Sequence, residues 1–574
     1  MSSGERITYF AQTDARGKRV PFGIKEKDRS RHMYIIGKTG MGKSTVLENM
    51  AIQDIRAGEG MAFIDPHGKT AELLLDYVPR ERVNDVLYFA PFDMDFPVAF
   101  NIMEDIGPEK RHLVVSGLMS AFRKLFGEES FSDRMQYILQ NTILALLEYP
   151  GATLLGVNRM LSEKEYRNKV IASVTDPSVK TYWTKEYAGY TERFAAEAIP
   201  AIQNKIGQFT SNPLIRNIIG QEKSSFDFRK MMDARKIVIV NLSKGLVGEG
   251  NAKLLGSMFV TKMYLAAMSR ADVQEQEAKK LAPFYLYVDE FQSFANKSFS
   301  DILSEARKYK LALTIAHQYI EQMEEEVVAA VFGNIGTMAT FRVGARDAEF
   351  LEKEFAPQFM AEDLVNLGIF QVYLKLMIDG ISSPPFSATT LPPIERDKVS
   401  FKEQVIASSR KQFAFGRSEV EEKIKAWHIP TIAPMAERPR RMEPQPQPRR
   451  SNFAPPPDNR GRGYWQERKN SLPQRASPVN NGASAPHPST QRPPQPIPLQ
   501  SLEQKSALRA TGMGQGSGAT ALRDALKEAL SGAGNTNEQT TRQGSRRATP
   551  PEAVSPEEVE RVLREGLPPE PRTP

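Results

Sequence analysis

The chain has 574 residues, 76 Lys and Arg against 69 Asp and Glu, a formal net charge of +7 and no cysteine. Single hydrophobic cores stop growing at roughly 250–300 residues, so this length implies more than one domain. Without thiols there are no disulfides, no Cys-ligated zinc, no iron–sulfur cluster and no thiol catalysis, which suits a reducing compartment. The charge is uneven: residues 1–437 carry 55 basic and 56 acidic side chains, 438–475 carry 10 and 3, and 476–574 carry 11 and 10. The basicity therefore belongs to one short stretch and not to the body of the protein. No run of about 18 apolar residues argues for a membrane span, and the polar start Met1 to Val20 lacks the apolar region of an export signal. The expectation is a cytoplasmic protein that a partner could recruit to the inner face of the cell membrane.

In chain order, residues 1–105 read as α/β. β-rich runs at His32–Ile36, Met61–Asp65 and Val86–Pro91 alternate with a helical pattern at Ser44–Ala57, the signature of a parallel sheet with crossover helices. From 106 to 225 helical patterns dominate. Asp133–Tyr149 is the clearest, with Met135, Ile138, Leu139, Ile143, Leu146 and Leu147 on one face, and Pro200–Phe209 follows with its proline in a first turn. Strands resume at Lys236–Leu242, Phe284–Asp289, Leu311–His317, Met338–Val343 and Phe370–Met377, with a helical pattern at Ser300–Tyr309. The fold class expected is α/β: a mainly parallel sheet in a domain split into 1–105 and 226–430, an all-α insertion at 106–225, and a tail at 431–574. That tail holds 23 of the 40 prolines and few aromatics. It cannot bury enough apolar surface to offset its ordering entropy, so disorder is expected apart from short helices at Ala519–Leu530 and Pro556–Leu563.

The strongest motif is Gly37-Lys38-Thr39-Gly40-Met41-Gly42-Lys43-Ser44-Thr45, between a strand and a helix. It matches the phosphate-cradling G-x-x-x-x-G-K-[ST] loop. Glycines let backbone N–H groups wrap the phosphates, and the helix N-terminus adds a favourable dipole. Gly37, Thr39, Gly40, Gly42, Lys43, Ser44 and Thr45 are the nucleotide-binding candidates. Lys43 would reach the β- and γ-phosphates, and Ser44 would ligate Mg2+. Two apolar strands end in carboxylates. Asp65, in Asp65-Pro66-His67-Gly68, fits the D-x-x-G of GTPases, but neither Asn204-Lys205-Ile206-Gly207 nor Asn296-Lys297-Ser298-Phe299 completes the N-K-x-D that reads guanine. The Asp289–Glu290 pair suits an ATPase, Asp289 in the magnesium shell and Glu290 polarising the attacking water.

Gln318 ends the next strand, where an amide can donate to and accept from a γ-phosphate or its water without titrating; His317 reads as a packing or supporting residue. For an arginine offered to a neighbour's nucleotide the candidates are Arg307, Arg342 and Arg346, with Arg31 weaker. The plainer readings are a solvated helix face for Arg307 and an ion pair with Asp347 for Arg346.

Four segments together resemble the HerA/FtsK-like motor ATPases, most closely the TraD/TraG-type coupling proteins of type IV secretion and conjugation. They are the phosphate loop at 37–45, Phe63–Gly68, Tyr287–Ala295, and Leu303–Tyr309 continued by His317-Gln318. The resemblance spans roughly residues 30–380. It implies a RecA-like P-loop ATPase domain at 1–105 and 226–430, in a hexamer that hydrolyses ATP at subunit interfaces and moves DNA through its pore. By position Lys43, Asp289, Glu290, Gln318 and the trans-acting Arg307 would be catalytic, Ser44 and Asp289 metal-binding, and ATP and Mg2+ the cofactors. Secretion-complex or relaxosome-like proteins would be further partners. Coupling proteins of this type usually carry N-terminal membrane helices, and only 36 residues precede this phosphate loop, which points to a version without its own anchor.

Residues 438–475 hold ten cations around Tyr464-Trp465. They read either as a salt-dependent DNA contact with stacking aromatics or as a solvated linker. The function expected is an ATP-driven DNA translocase of the coupling-protein kind. The alternatives are a HerA-like DNA-processing pump unrelated to secretion and a nucleotide-gated substrate receptor.

Overall fold

The computed structural model describes residues 6–428 except 15, 16, 128, 296 and 297. The strands are β1 (Ile7–Gln12), β2 (Pro21–Lys25), β3 (Met33–Ile36), β4 (Gly60–Asp65), β5 (Val86–Phe89), β6 (Ile237–Asn241), β7 (Phe284–Val288), β8 (Leu311–His317), β9 (Thr337–Thr340), β10 (Gln371–Lys375), β11 (Met377–Ile378), β12 (Ile381–Ser382) and β13 (Phe386–Thr390). Eleven form one sheet in the order β2-β1-β13-β10-β9-β3-β8-β7-β4-β6-β5, while β11 and β12 make a separate hairpin. From β9 to β5 every neighbouring pair is parallel. From β2 to β9 every pair is antiparallel.

The parallel strands β3, β4, β6 and β7 are buried along their whole length, as expected when helices cover both faces. Alternate side chains feed two apolar clusters. Tyr34, Ile36, Ala62, Ile64, Leu286 and Val288 join one, and Met33, Ile35, Met61, Phe63, Tyr285 and Tyr287 the other. The sequence does not announce β1, because its polarity is inverted: Ile7 and Tyr9 are exposed while Thr8 is 1% exposed. Thr8 is buried because its hydroxyl accepts a hydrogen bond from Arg29 at 3.2 Å.

Between β5 and β6 the described residues contain no strand. Their longer helices are Arg111–Phe126, Asp133–Leu147, Lys164–Ser173 and Glu192–Thr210. Phe122, Leu139 and Ile206 belong to the same apolar cluster as Tyr34 and Ile64, so these helices share a core with one face of the sheet. Pro200 departs from expectation: it lies inside the helix Glu192–Thr210 and not in its first turn. The apolar periodicity through Ile202, Ile206 and Phe209, all buried, holds the helix to the core despite the hydrogen bond that proline removes. Among the described residues no helix is long and apolar enough to cross a membrane. The arginine-rich stretch and both helical patterns of the tail lie outside the described residues.

Candidate functional site

Parallel strands deliver their C-terminal ends to one edge, where α/β sheets bind ligands. Here β3 is central, with β8 and β7 on one side and β9 and β10 on the other. The loop after β3 is held by neighbouring strand tips: Gly37 N–H donates to the His317 carbonyl at 3.3 Å and Lys38 N–H to the Arg342 carbonyl at 2.8 Å. Gly40 and Gly42 have φ of +78° and +117°, a region costly for any residue with a Cβ. At Gly42 a Cβ would also fall 2.9 Å from Cδ1 of Phe370.

Lys43 opens the helix Lys43–Arg56, with Ser44 and Thr45 in its first turn. Its ammonium is curled back onto the carbonyls of Gly37 (2.6 Å) and Lys38 (3.1 Å). Burial lowers its pKa, against the pull of Glu290 and Asp289. Ser44 Oγ donates to Asp289 Oδ2 at 3.1 Å, and the other carboxylate oxygen of Asp289 accepts Glu290 N–H at 2.9 Å. Burial, then the charges of Asp65 and Glu290, push Asp289 up to about 6.

Glu290 has φ +48° and ψ +49°, an uncommon conformation for a residue with a side chain and one that concentrates at functional sites. Its carboxylate accepts from the amides of Gln318 and Gln292, and His67 Nε2 stands 3.7 Å away. Burial pushes Glu290 up, but the contact with His67 and the hydrogen bonds from Gln318 and Gln292 outweigh it and hold the group at about 2. The same contact raises the His67 pKa. Gln318 also accepts from the Thr39 hydroxyl at 3.0 Å. Thr39, Gln318 and Glu290 thus form one hydrogen-bonded chain from phosphate loop to acid. Lys43, Ser44, Asp289, Glu290, Thr39 and Gln318 are brought together at one edge.

Asp65 has a local role in its own loop. Its two carboxylate oxygens accept the N–H groups of His67 (2.8 Å) and Ala71 (2.9 Å), so it builds the turn that presents His67. His317 is fully buried, with Nδ1 3.1 Å from the Tyr34 hydroxyl; burial drops it to about 3, and it packs as a neutral ring. Sequence reasoning missed His67 and Gln292 as partners of Glu290. The available signal was the one that singled out Gln318, a polar residue just beyond a buried strand.

The arginines divide. Arg307 is exposed on the 3-10 turn Ala306–Tyr309 ahead of β8. Seven strand residues, about 23 Å at roughly 3.3 Å each, separate it from the Gln318 end, so it does not serve its own subunit's site. Arg31 precedes β3 at that same far edge. Arg342 lies beside the phosphate loop, to which its carbonyl is bonded. Arg346 pairs with Glu321 at 2.9 Å and not with Asp347, which instead accepts Ile320 N–H at 3.0 Å.

Among the described residues no three His, Asp or Glu side chains converge on a metal site. The adjacent Ser44 hydroxyl and Asp289 carboxylate are hard oxygen donors, and that sparse set fits Mg2+, which keeps several waters and takes the rest of its shell from phosphates.

A family model described as the type IV secretion-system coupling protein DNA-binding domain matches residues 18–355, more than half of the chain. No curated protein matches. Among solved structures, the plasmid coupling protein TrwB in complex with ADP and Mg2+ is similar at 14% identity and a TM-score of 0.49, over 69% of this chain and 97% of that one. TrwB with a non-hydrolysable GTP analogue gives 13% and 0.49, over 69% and 98%. VirB4 of Thermoanaerobacter pseudethanolicus gives 13% and 0.43, over 70% and 99%.

Proposed function

This chain belongs to the type IV secretion-system coupling-protein DNA-binding-domain family, and from that premise we propose that it is a coupling-protein motor that hydrolyses ATP with Mg2+ and uses the energy to move DNA. The observation that carries the hydrolytic half is the hydrogen-bonded chain from Thr39 through Gln318 to Glu290, beside the Ser44–Asp289 contact. Loop, metal donors and ionised acid meet there at one sheet edge.

In this reading the backbone of Gly37–Thr45 wraps the phosphates, and Lys43 leaves the loop carbonyls to reach them. Ser44 and Asp289 would hold Mg2+, which would neutralise phosphate charge. Glu290, ionised well below neutral pH, is a weak base. Its role is to orient and polarise the attacking water, which suits the loose transition state of phosphoryl transfer. A γ-phosphate arriving between Thr39 and Gln318 would break their 3.0 Å bond and release the tip of β8, so that nucleotide state is passed to the rest of the fold. The exposure of Arg307 at the opposite edge supports a role at a neighbour's nucleotide, and with it assembly as a ring, which the family resemblance makes a hexamer. Secretion-complex proteins are its expected partners.

The rival reading is a docking protein in which nucleotide only controls assembly. ATP turnover with and without DNA separates the two. The motor reading expects stimulation by DNA and loss of turnover by about 10²- to 10⁴-fold in Glu290→Gln. Turnover indifferent to both would sink it.

A further inference from the structure

We propose that Phe370 is the platform on which the base of the nucleotide stacks; the proposal rests on the ATPase reading and extends it to the far half of the substrate. Phe370 stands just before β10 with φ +65°, a genuine outlier for a bulky aromatic side chain. Such a conformation persists only when its surroundings fix it, and here they do. Its N–H donates to the Met41 carbonyl of the phosphate loop at 3.2 Å, and its own carbonyl accepts from the N–H (2.9 Å) and hydroxyl (3.3 Å) of Thr390.

The strain does not serve burial, since Phe370 remains 49% exposed and its neighbour Ile369 57%. It holds a half-exposed aromatic ring against Gly42, so close that a Cβ there would meet the ring at 2.9 Å. Core packing would hide such a ring. A flat ligand would use it.

Sheet order fixes which part of the ligand reaches it. The groups that act on the γ-phosphate, Asp289, Glu290 and Gln318, follow β7 and β8 on one side of β3, and Phe370 precedes β10 on the other. Each set lies up to two strands from the phosphate loop, about 10 Å. A triphosphate with its terminal phosphate toward Glu290 must send its nucleoside the other way, over the loop toward Phe370. Two polar oxygens nearby are engaged: the Gln371 amide oxygen accepts Gly368 N–H at 2.8 Å, and the Thr390 hydroxyl is bonded to the Phe370 carbonyl. A phenyl ring offers a base stacking and no hydrogen bond, so adenine and guanine nucleotides should profit alike.

The test is equilibrium binding of ATP, GTP and inorganic tripolyphosphate, each with Mg2+, to the full chain and to its Phe370→Ala and Phe370→Trp variants. The expected result is an affinity loss of roughly tenfold or more for ATP and GTP in Phe370→Ala, no change for tripolyphosphate, and recovery in Phe370→Trp. Equal weakening of all three ligands would mean that Phe370 only props the loop and would overturn the proposal, as would unchanged ATP affinity. A wild-type chain that binds tripolyphosphate but gains nothing from the nucleoside removes the base site alone. One that binds none of the three removes the ATPase reading as well.

Discussion

Strand β7 carries two charge clusters, and their contrast explains much of the molecule. Along its flank Tyr285 and Tyr287 meet a network centred on Asp54. The guanidinium of Arg29, 3% exposed, forks onto Asp54 at 2.8 and 2.9 Å and reaches the Tyr287 hydroxyl at 2.6 Å. That hydroxyl donates to Asp54 at 2.6 Å, and Arg6 adds a contact at 2.8 Å. The Arg29 guanidinium also lies 3.6 Å from the centroid of the Tyr285 ring. Both oxygens of Asp54 are doubly engaged, so burying the charge is offset by partners of good geometry. At the tip of the same strand Asp289 and Glu290 meet only neutral donors, a histidine at 3.7 Å and a lysine resting on carbonyls. An Asp54 with every oxygen engaged holds the fold, whereas the tip, in the function proposed above, has room for phosphate and metal.

The contrast can be broken most severely at Asp54. Asp54→Ala should cost about 3–5 kcal/mol of stability by stranding a buried arginine, read as a lower urea midpoint; an unchanged midpoint would show that the network contributes nothing. Gln318→Ala should do the reverse, lowering ATP turnover by about a hundredfold with little change in melting temperature. A large loss of stability there would make the tip structural after all. Tyr287→Phe should cost about 1.5–3 kcal/mol, because its hydroxyl accepts from Arg29 and donates to Asp54, both charged groups.

The smallest effect is in pH. Burial pushes Asp54 up, but Arg29, Arg6 and Tyr287 more than reverse it, so its folded pKa is depressed. Its contribution is complete above the unfolded value of about 3.9 and is lost only as pH falls through the lower folded value. The stability gap between wild type and Asp54→Asn should therefore stay flat from about pH 5 to 9 and narrow below about 4, as urea titrations across that range would reveal.

The parts legible in the sequence were those whose signal is local. The phosphate loop is a contiguous motif, and the parallel strands are short apolar runs ending in polar residues. What escaped depends on partners distant in the chain. β1 was hidden because Thr8 is buried by Arg29. His67 and Gln292 acquire meaning only from the position of Glu290, and Arg346 finds Glu321 across a loop, not the adjacent Asp347. The placement of Pro200 failed for another reason: a helix anchored by Ile202, Ile206 and Phe209 tolerates a proline that local propensity would put at its start.

The pairing of β5 with β6, Val86 opposite Ile237 through Phe89 opposite Val240, bears on how the chain finds its structure. These strands are neighbours in the sheet but flank the whole helical stretch in sequence. Closing so long a loop is entropically costly unless something shortens it first, and helices with local contacts form faster than distant strand pairs. The expected order is collapse of the helices, which draws the two strand ends together, followed by completion of this edge of the sheet. Pulsed hydrogen exchange should then find amides in Arg111–Phe126 and Asp133–Leu147 protected before those of β5 and β6.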